Sequence, residues 1–438
     1  MQPGGEATDG AAPEVAGIRA SWLRRTRPAL PRLAEYVTVF FAAAVAVALL
    51  VIRTDLKTMG TAAFADPGWD RHLYIEMARR GLFDFRLAPY CWRILEPALA
   101  AALPFDLQTS FMTMTFAALV GLGSAVYGLV RTAGFSRWHG LIAMLLFFSL
   151  GWGPKFVVSD FWVPDALGSL FVVLALIFAL RKRPIEMAVA LAVGVLAKES
   201  VLFVAPLFYT LHARSHFDWP RLRTALIVVA PAVVVLVALR LLIPEANGDG
   251  SYIATMPPVI SRFPEIFPPY SYIDRFNAIG RDLRWGDRAW GDFDTYITDP
   301  FGIALLGLTL IGTARKPMLA LRLAPFVVLV YSQLLFATDT QRLIVLAFPA
   351  LALLAMTGLD ALASWLRVRV AVFLPAALAL FALVLLSRDQ YGSPLLLQAA
   401  ILSTWLACAW CVRLLPQSLR QRLHRVLRRE RRREFGDR

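Results

Sequence analysis

Apolar runs dominate this chain. Stretches of roughly 20 residues with few charges recur from residue 35 to residue 413, each long enough to cross the hydrocarbon of a bilayer as a helix. The pattern places spans at about 35–52, 109–130, 138–153, 161–180, 223–243, 299–314, 318–336, 342–365, 370–387 and 393–413. A further apolar stretch, "IEMAVALAVGVLAKESVLFVAPLFYTLHA" at 185–213, carries Lys198 and Glu199 at its middle. As one helix it makes the span count odd; as two short helices meeting near Lys198–Glu199 it makes the count even. A charged pair is easier to solvate at a helix break than in a continuous helix at mid-bilayer. The hairpin reading predicts an all-α, polytopic transmembrane bundle of about twelve spans.

Charge then assigns the sides. Arg19, Arg24, Arg25, Arg27 and Arg32 precede the first run, and the tail "RLHRVLRRERRREFGDR" follows the last. Basic residues stay cytoplasmic, so both termini are expected inside and the count even. The same arrangement puts "RKR" at 181–183, residues 214–223, "RK" at 315–316 and "RVR" at 367–369 inside. The acidic or mixed loops 53–108, 154–160, 244–298, 337–341 and 388–392 fall outside. One integral membrane domain, 35–415, is expected between a disordered basic leader, 1–34, and a basic tail, 416–438. The leader shows no cleavable signal, and the first run is long enough to remain as an anchor. The chain is thus expected to be a multi-pass membrane protein with both termini in the cytoplasm.

Composition agrees and excludes several classes. Hydrophobic residues make up 58% and charged residues 17%, against about 25% charged in a soluble domain. The net charge of +14 lies in short loops and tails, as orientation in a membrane requires, so no nucleic-acid partner is expected. Three cysteines set no disulfide framework. Cys408 and Cys411 form C-x-x-C inside an apolar helix, where they read as small packing residues. His212 and His216 have i, i+4 spacing without a third ligand nearby. No metal site and no cofactor are expected.

The outer loops carry the chemistry. Segment 64–81, "FADPGWDRHLYIEMARRG", follows the first span. Asp66–Pro67 reads as a helix start and Gly81 as its end. Trp69, Leu73 and Met77 recur every four residues, with Asp70, Glu76 and Arg80 elsewhere. That predicts a short amphipathic helix lying at the membrane interface. "RLAPYCWRILEPALAAALPF" then brings Arg86 and Arg93 beside aromatic residues. Other outer helix ends add Asp160 and Asp165 ("SDFWVPD"), Lys198 and Glu199 ("AKES"), and Asp339 and Arg342 ("ATDTQRL"). Ionisable groups gathered at one membrane face mark a functional site. Plainer roles stand beside this one: Asp66 as a cap, Asp160 or Asp165 as caps of the following helix, Asp339 as a partner of Arg342. Asp70 is harder to assign to structure alone, because the pattern puts it inside the helix.

These segments, in this order and on this side, resemble the GT-C superfamily of membrane glycosyltransferases, closest to its bacterial mannosyltransferase-like group. The resemblance rests on "DPGWDRHLYIEMA" with "PYCWRILEPALA" after the first span, on "LAVGVLAKESVLFVAPLF", and on "ATDTQRLIVLAFPALALLA". It covers much of 35–365. It implies a polyprenyl-phosphate-linked sugar as donor, transfer at the outer face of a bacterial cytoplasmic (inner) membrane with inversion at the anomeric carbon, and an acidic base in the first outer loop. The matching positions are Asp66 and Asp70, four apart, with Asp70 preferred. Substrate contacts are then expected from Arg86, Arg93, Lys198, Glu199, Asp160, Asp339, Arg342 and His72. The partners are membrane lipid, the lipid-linked sugar and a glycan, lipid or protein acceptor.

The chemistry stands without the resemblance. A carboxylate within reach can take the proton of an attacking hydroxyl. Arginine suits the phosphate leaving group through its bidentate fork. The rival class is a transporter or flippase of lipid-linked sugars, which needs no base and is built from two homologous halves; residues 35–215 and 220–413 show no convincing repeat. A non-catalytic scaffold is a third class.

Overall fold

The computed structural model describes residues 33–65, 70–215, 217–262, 267, 294–335, 340–387, 391 and 394–414. Asp66, Asp339 and His216 lie outside these residues, as do the side chains of Cys408 and Cys411. Among the described residues the chain is all-α. Helix α1 (Leu33–Arg53) leads to α2 (Asp70–Arg80), α3 (Leu95–Ala102), α4 (Leu107–Thr132) and α5 (Arg137–Phe148). A π turn (Gly151–Lys155) and α6 (Phe156–Ser159) continue α5 after a 54° bend. Then come α7 (Asp165–Leu180), α8 (Pro184–Ala197), a 3-10 turn (Glu199–Val204) and α9 (Pro206–His212). They are followed by α10 (Trp219–Leu242), α11 (Gly250–Ala254) and α12 (Pro258–Ser261). The last third holds α13 (Asp299–Arg315), α14 (Pro317–Ser332), α15 (Thr340–Ile344), α16 (Phe348–Leu366), α17 (Leu374–Leu386) and α18 (Leu395–Leu414).

The helices run back and forth between two unlike ends. At one end α1 starts where α4 finishes, with Arg131 3.2 Å from Glu35. Arg181 after α7 reaches Thr132 at the same end. His139 at the start of α5 lies 3.7 Å from Asp360 near the end of α16, and Trp365 stacks near Trp410. The basic turns at 181–183, 315–316 and 367–369 belong to this end. The opposite end receives the first loop, the α6–α7 connection, the α8–α9 break and α15.

Local chemistry fixes the helix limits. Asp106 caps α4 by accepting from the Thr109 amide at 3.0 Å, and Asp218 caps α10 through the Arg221 amide at 3.3 Å. Proline at the first turn opens α8, α9, α14 and α16. The chain reverses at Lys198, which is extended. Lys198 meets Asp165, the first residue of α7, while His212 bonds the Ala179 carbonyl at the other end of α7 (2.7 Å). Segment 184–212 therefore climbs and returns as a broken hairpin.

Twelve spans are not shown. Five described helices have the length and hydropathy of a span, six when the bent α5–α6 pair is one. Several others are shorter: 14–16 residues, as in α7, α8 and α14, reach roughly 21–24 Å against a hydrocarbon core of ~30 Å. Helices α7 and α8 end at a polar cluster, where Asp165 meets Lys198. Helix α2 is covered by protein over much of its length. Residues Arg71 to Met77 are all buried, because Arg71 and Glu76 find protein partners on the faces that would otherwise meet water.

The long helices pack through small residues. Between α13 and α16, a Cβ on Gly312 would stand 1.9 Å from the Leu354 carbonyl oxygen, and one on Gly358 2.0 Å from that of Leu308. Only glycine lets these backbones touch, the usual device where lipid supplies no hydrophobic drive between helices.

Candidate active site

Consecutive residues of α2 serve different partners. On a helix, neighbours diverge by about 100°, so Asp70 and Arg71 enter separate clusters. Asp70 is the first residue of α2 described, and its Oδ2 accepts from Nη2 of Arg342 on α15, 272 positions later. Its Oδ1 accepts from the Tyr90 hydroxyl at 2.8 Å. Nη1 of Arg342 reaches Asp165 Oδ2 at 3.4 Å, and Lys198 Nζ holds Asp165 Oδ1.

Arg93 extends the network. Its Nε and Nη2 grip both oxygens of Glu199, the first at 3.0 Å, and its Nη1 donates to the Tyr74 hydroxyl at 3.1 Å. The Arg93 guanidinium also lies 5.6 Å from the centre of the Tyr90 ring, which meets the Tyr74 ring edge-on at 5.7 Å. Because Lys198 is extended, Lys198 and Glu199 point to opposite partners. Three carboxylates (Asp70, Asp165, Glu199) thus interleave with three cations (Arg93, Arg342, Lys198). Unpaired, the more deeply buried of them would each cost several kcal/mol.

Burial opposes the charged form of Asp70. The Arg342 guanidinium, the Tyr90 hydrogen bond and the Arg93 charge outweigh it and hold the carboxyl below the usual carboxylate range. Tyr90 is pushed the other way: burial first, then the negative charge of Asp70, hold its phenol well above the ordinary value. It is a neutral donor at any working pH.

A second cluster lies across the Phe156 ring. Arg342 and Lys57 each stand 5.6 Å from its centroid. Lys57 and Arg71 share one oxygen of Asp160, at 3.3 and 3.0 Å. The stretch carrying Lys57 is stitched to residues 159–162: Lys57 N donates to Ser159 O at 2.9 Å, and Trp162 Nε1 to Lys57 O at 2.8 Å. Tyr391 donates to Ser159 Oγ at 2.7 Å. Trp152, Phe156 and Tyr391 pack as an aromatic wall, with centroids 5.3–5.9 Å apart.

A buried acid braces the segment that carries both Asp160 and Asp165. The Thr115 hydroxyl lies 2.7 Å from Glu96 Oε1 and 2.7 Å from the Phe161 carbonyl oxygen. One hydroxyl proton cannot satisfy two acceptors. Glu96 therefore carries the second proton and donates to Thr115, in keeping with burial, which pushes its carboxyl well above the ordinary range.

The structure thus joins Asp70, Arg93, Lys198, Glu199 and Arg342, and sets Asp160 beside them across Phe156. It does not bring Arg86 in. The Arg86 amide donates to the Tyr252 hydroxyl at 2.8 Å, and its guanidinium lies 5.0 Å from that ring, where the first loop meets α11. His72 packs edge-on to Phe64 at 5.0 Å. Tyr90, Tyr74, Arg71 and Lys57 were not among the expected site residues. Tyr90 stands three positions before Arg93, which was a signal. Lys57 had none, because only the fold carries it to Asp160. Among the described residues no group of three His, Cys, Asp or Glu side chains is arranged to hold a metal ion.

No protein-family model matches this chain, and no curated protein does. Solved structures are similar to this chain at low identity, three of them as follows. The Archaeoglobus fulgidus oligosaccharyltransferase, tethered to an acceptor peptide, is 12% identical with a TM-score of 0.48, covering 83% of this chain and 56% of that one. ArnT from Cupriavidus metallidurans in its apo state is 19% identical with a TM-score of 0.44, covering 80% of this chain and 64% of that one. ArnT bound to undecaprenyl phosphate is 16% identical with a TM-score of 0.41, covering 86% and 76%. The chain thus spans under two thirds of the length of the first two.

Proposed function

We propose that this protein is an inverting glycosyltransferase that moves a sugar from a polyprenyl-phosphate carrier to an envelope glycan, lipid or protein acceptor. The reaction takes place at the outer face of a bacterial cytoplasmic membrane. One observation supports it above the rest: Asp70 in the first loop and Arg342 near the chain's end meet in a cluster with Asp165, Lys198 and Arg93. The segregation of basic turns to the opposite end supports the orientation.

The chemistry follows from these positions. Asp70, its side chain 17% exposed, removes the proton of the acceptor hydroxyl as that oxygen bonds to the sugar C1. The bond from C1 to the phosphate oxygen breaks, and the carrier leaves as a phosphate monoester. Arg342 and Lys198, held close by Asp165, neutralise the charge growing on that phosphate. Arriving phosphate competes with Asp70 for Arg342, which loosens the carboxylate when a base is needed.

The test uses purified protein in lipid nanodiscs, a radiolabelled polyprenyl-phosphate hexose and an envelope extract as acceptor. Transfer that disappears in Asp70→Asn, with the melting transition retained, supports the assignment. Transfer unchanged in that variant overturns it. Movement of the labelled lipid across vesicles without transfer favours the flippase.

A further inference from the structure

The first loop places an aromatic hydroxyl against the candidate base, and the start of loop 244–298 holds it there. Tyr90 opens a 3-10 turn (Tyr90–Trp92). Its hydroxyl donates to Asp70 Oδ1. Its ring is fixed by the edge of Tyr74 and by the Arg93 guanidinium, itself locked on Glu199. The turn is clamped from outside. Ala88 N donates to Asn247 Oδ1 at 2.8 Å, and Asn247 Nδ2 donates back to Ala88 O at 3.1 Å. Ala246 N donates to Arg86 O at 2.8 Å, and Trp92 Nε1 to Ile243 O at 3.1 Å. A hydroxyl held on so many sides has little freedom to leave its acceptor.

We infer that Tyr90 is a positioning residue for the base: its hydroxyl sets the plane of the Asp70 carboxylate and keeps it ionised. The inference rests on the transferase reading for its meaning but not for its test. A carboxylate has two oxygens. Arg342 occupies Oδ2 and is the group that incoming phosphate draws away. Tyr90 occupies one lone pair of Oδ1, and being neutral it is not drawn by the phosphate. It therefore stays bonded while Arg342 moves and leaves the remaining lone pairs aimed at the acceptor. The charged and titratable groups facing Asp70 are Arg342 from α15, Tyr90 and Arg93 from the first loop, and Tyr74 from α2. Asp165 lies on the far side of Arg342.

The test is Tyr90→Phe, which keeps the ring and deletes the hydroxyl. Full-length protein in nanodiscs is treated with dicyclohexylcarbodiimide, which adds to protonated carboxyls, and Asp70 labelling is read by peptide mass spectrometry against pH. Asp70→Asn shows that the label is on Asp70. Loss of a hydrogen bond to the charged form moves the labelling midpoint upward by about one pH unit. Tyr74→Phe removes a hydroxyl that bonds Arg93, not Asp70, and leaves the midpoint within about 0.3 unit. Tyr90→Phe with an unmoved midpoint overturns the inference, as does an equal shift in both variants, which would report general loosening. Where transfer is measured, Tyr90→Phe lowers kcat about tenfold, with KM for the lipid-linked hexose within about twofold. A shifted midpoint in a protein that transfers no sugar would retain Tyr90's role and remove the transferase reading. An unmoved midpoint with active transfer would do the reverse.

Discussion

The α13–α16 seam and the Asp70–Arg342 cluster hold helices together by opposite means. At the seam, Gly312 and Gly358 let two backbones meet, with no side chain between them. At the cluster, α2, α7, α15 and the α8–α9 break are kept together by charged side chains. The seam joins two helices that form candidate spans of 20 and 26 residues. The cluster joins the ends of short ones. Where lipid supplies no hydrophobic drive between helices, close backbone contact does the work. At the ends of the short helices, ion pairs between side chains take that part.

The seam should break hardest. Gly358→Leu drives a side chain into the Leu308 carbonyl and should cost more than about 4 kcal/mol, seen as loss of folded, monodisperse protein. At the cluster, Asp70→Asn should keep the fold and lower transfer about 10³-fold, measured as initial rate on the labelled donor. Arg93→Met strands Glu199 and should cost about 2 kcal/mol, a figure discounted because Glu199 is 32% exposed. The double variant Arg93→Met with Glu199→Met should recover much of that in a melting experiment, which the seam could not do with any pair of larger residues.

Acid sharpens the contrast. The folded carboxyl of Asp70 lies below its ordinary value. Its stabilising share is complete above the unfolded carboxylate pKa of roughly 3.9 and is lost as pH falls below that. Melting temperature measured downward from pH 6 should therefore drop more steeply in the native protein than in Asp70→Asn, while the seam contributes no slope. The smallest effect belongs to Glu96→Gln. It replaces a protonated acid with a neutral donor of the same shape and should change stability by under about 1 kcal/mol.

Much of this was readable along the chain, and particular residues show where legibility stopped. Hydropathy gave the apolar runs, and charge gave the two ends. Lys198–Glu199 announced a break because a charged pair cannot sit quietly inside an apolar helix. The length of each helix was not readable: α7 and α8 end where they meet Asp165, Lys198 and Glu199, and pattern alone cannot tell a polar cleft from bulk water. The burial of α2 escaped for the same reason. Its polar residues looked solvated, yet Arg71 points at Asp160 and Glu76 at Arg80.

The sequence by itself determined the all-α membrane character, the polarity of the two ends, and the pool of acids and arginines from which the cluster is drawn. These depend on composition and period, which are local. Only the tertiary structure decided which acid meets which cation: Asp70 with Arg342 across 272 positions, Arg93 with Glu199, Lys57 and Arg71 with Asp160, and Arg86 with none of them. Pairing is a matter of distance and direction in space. Consecutive residues such as Asp70 and Arg71 point about 100° apart on a helix, so neighbours in the chain become members of different clusters.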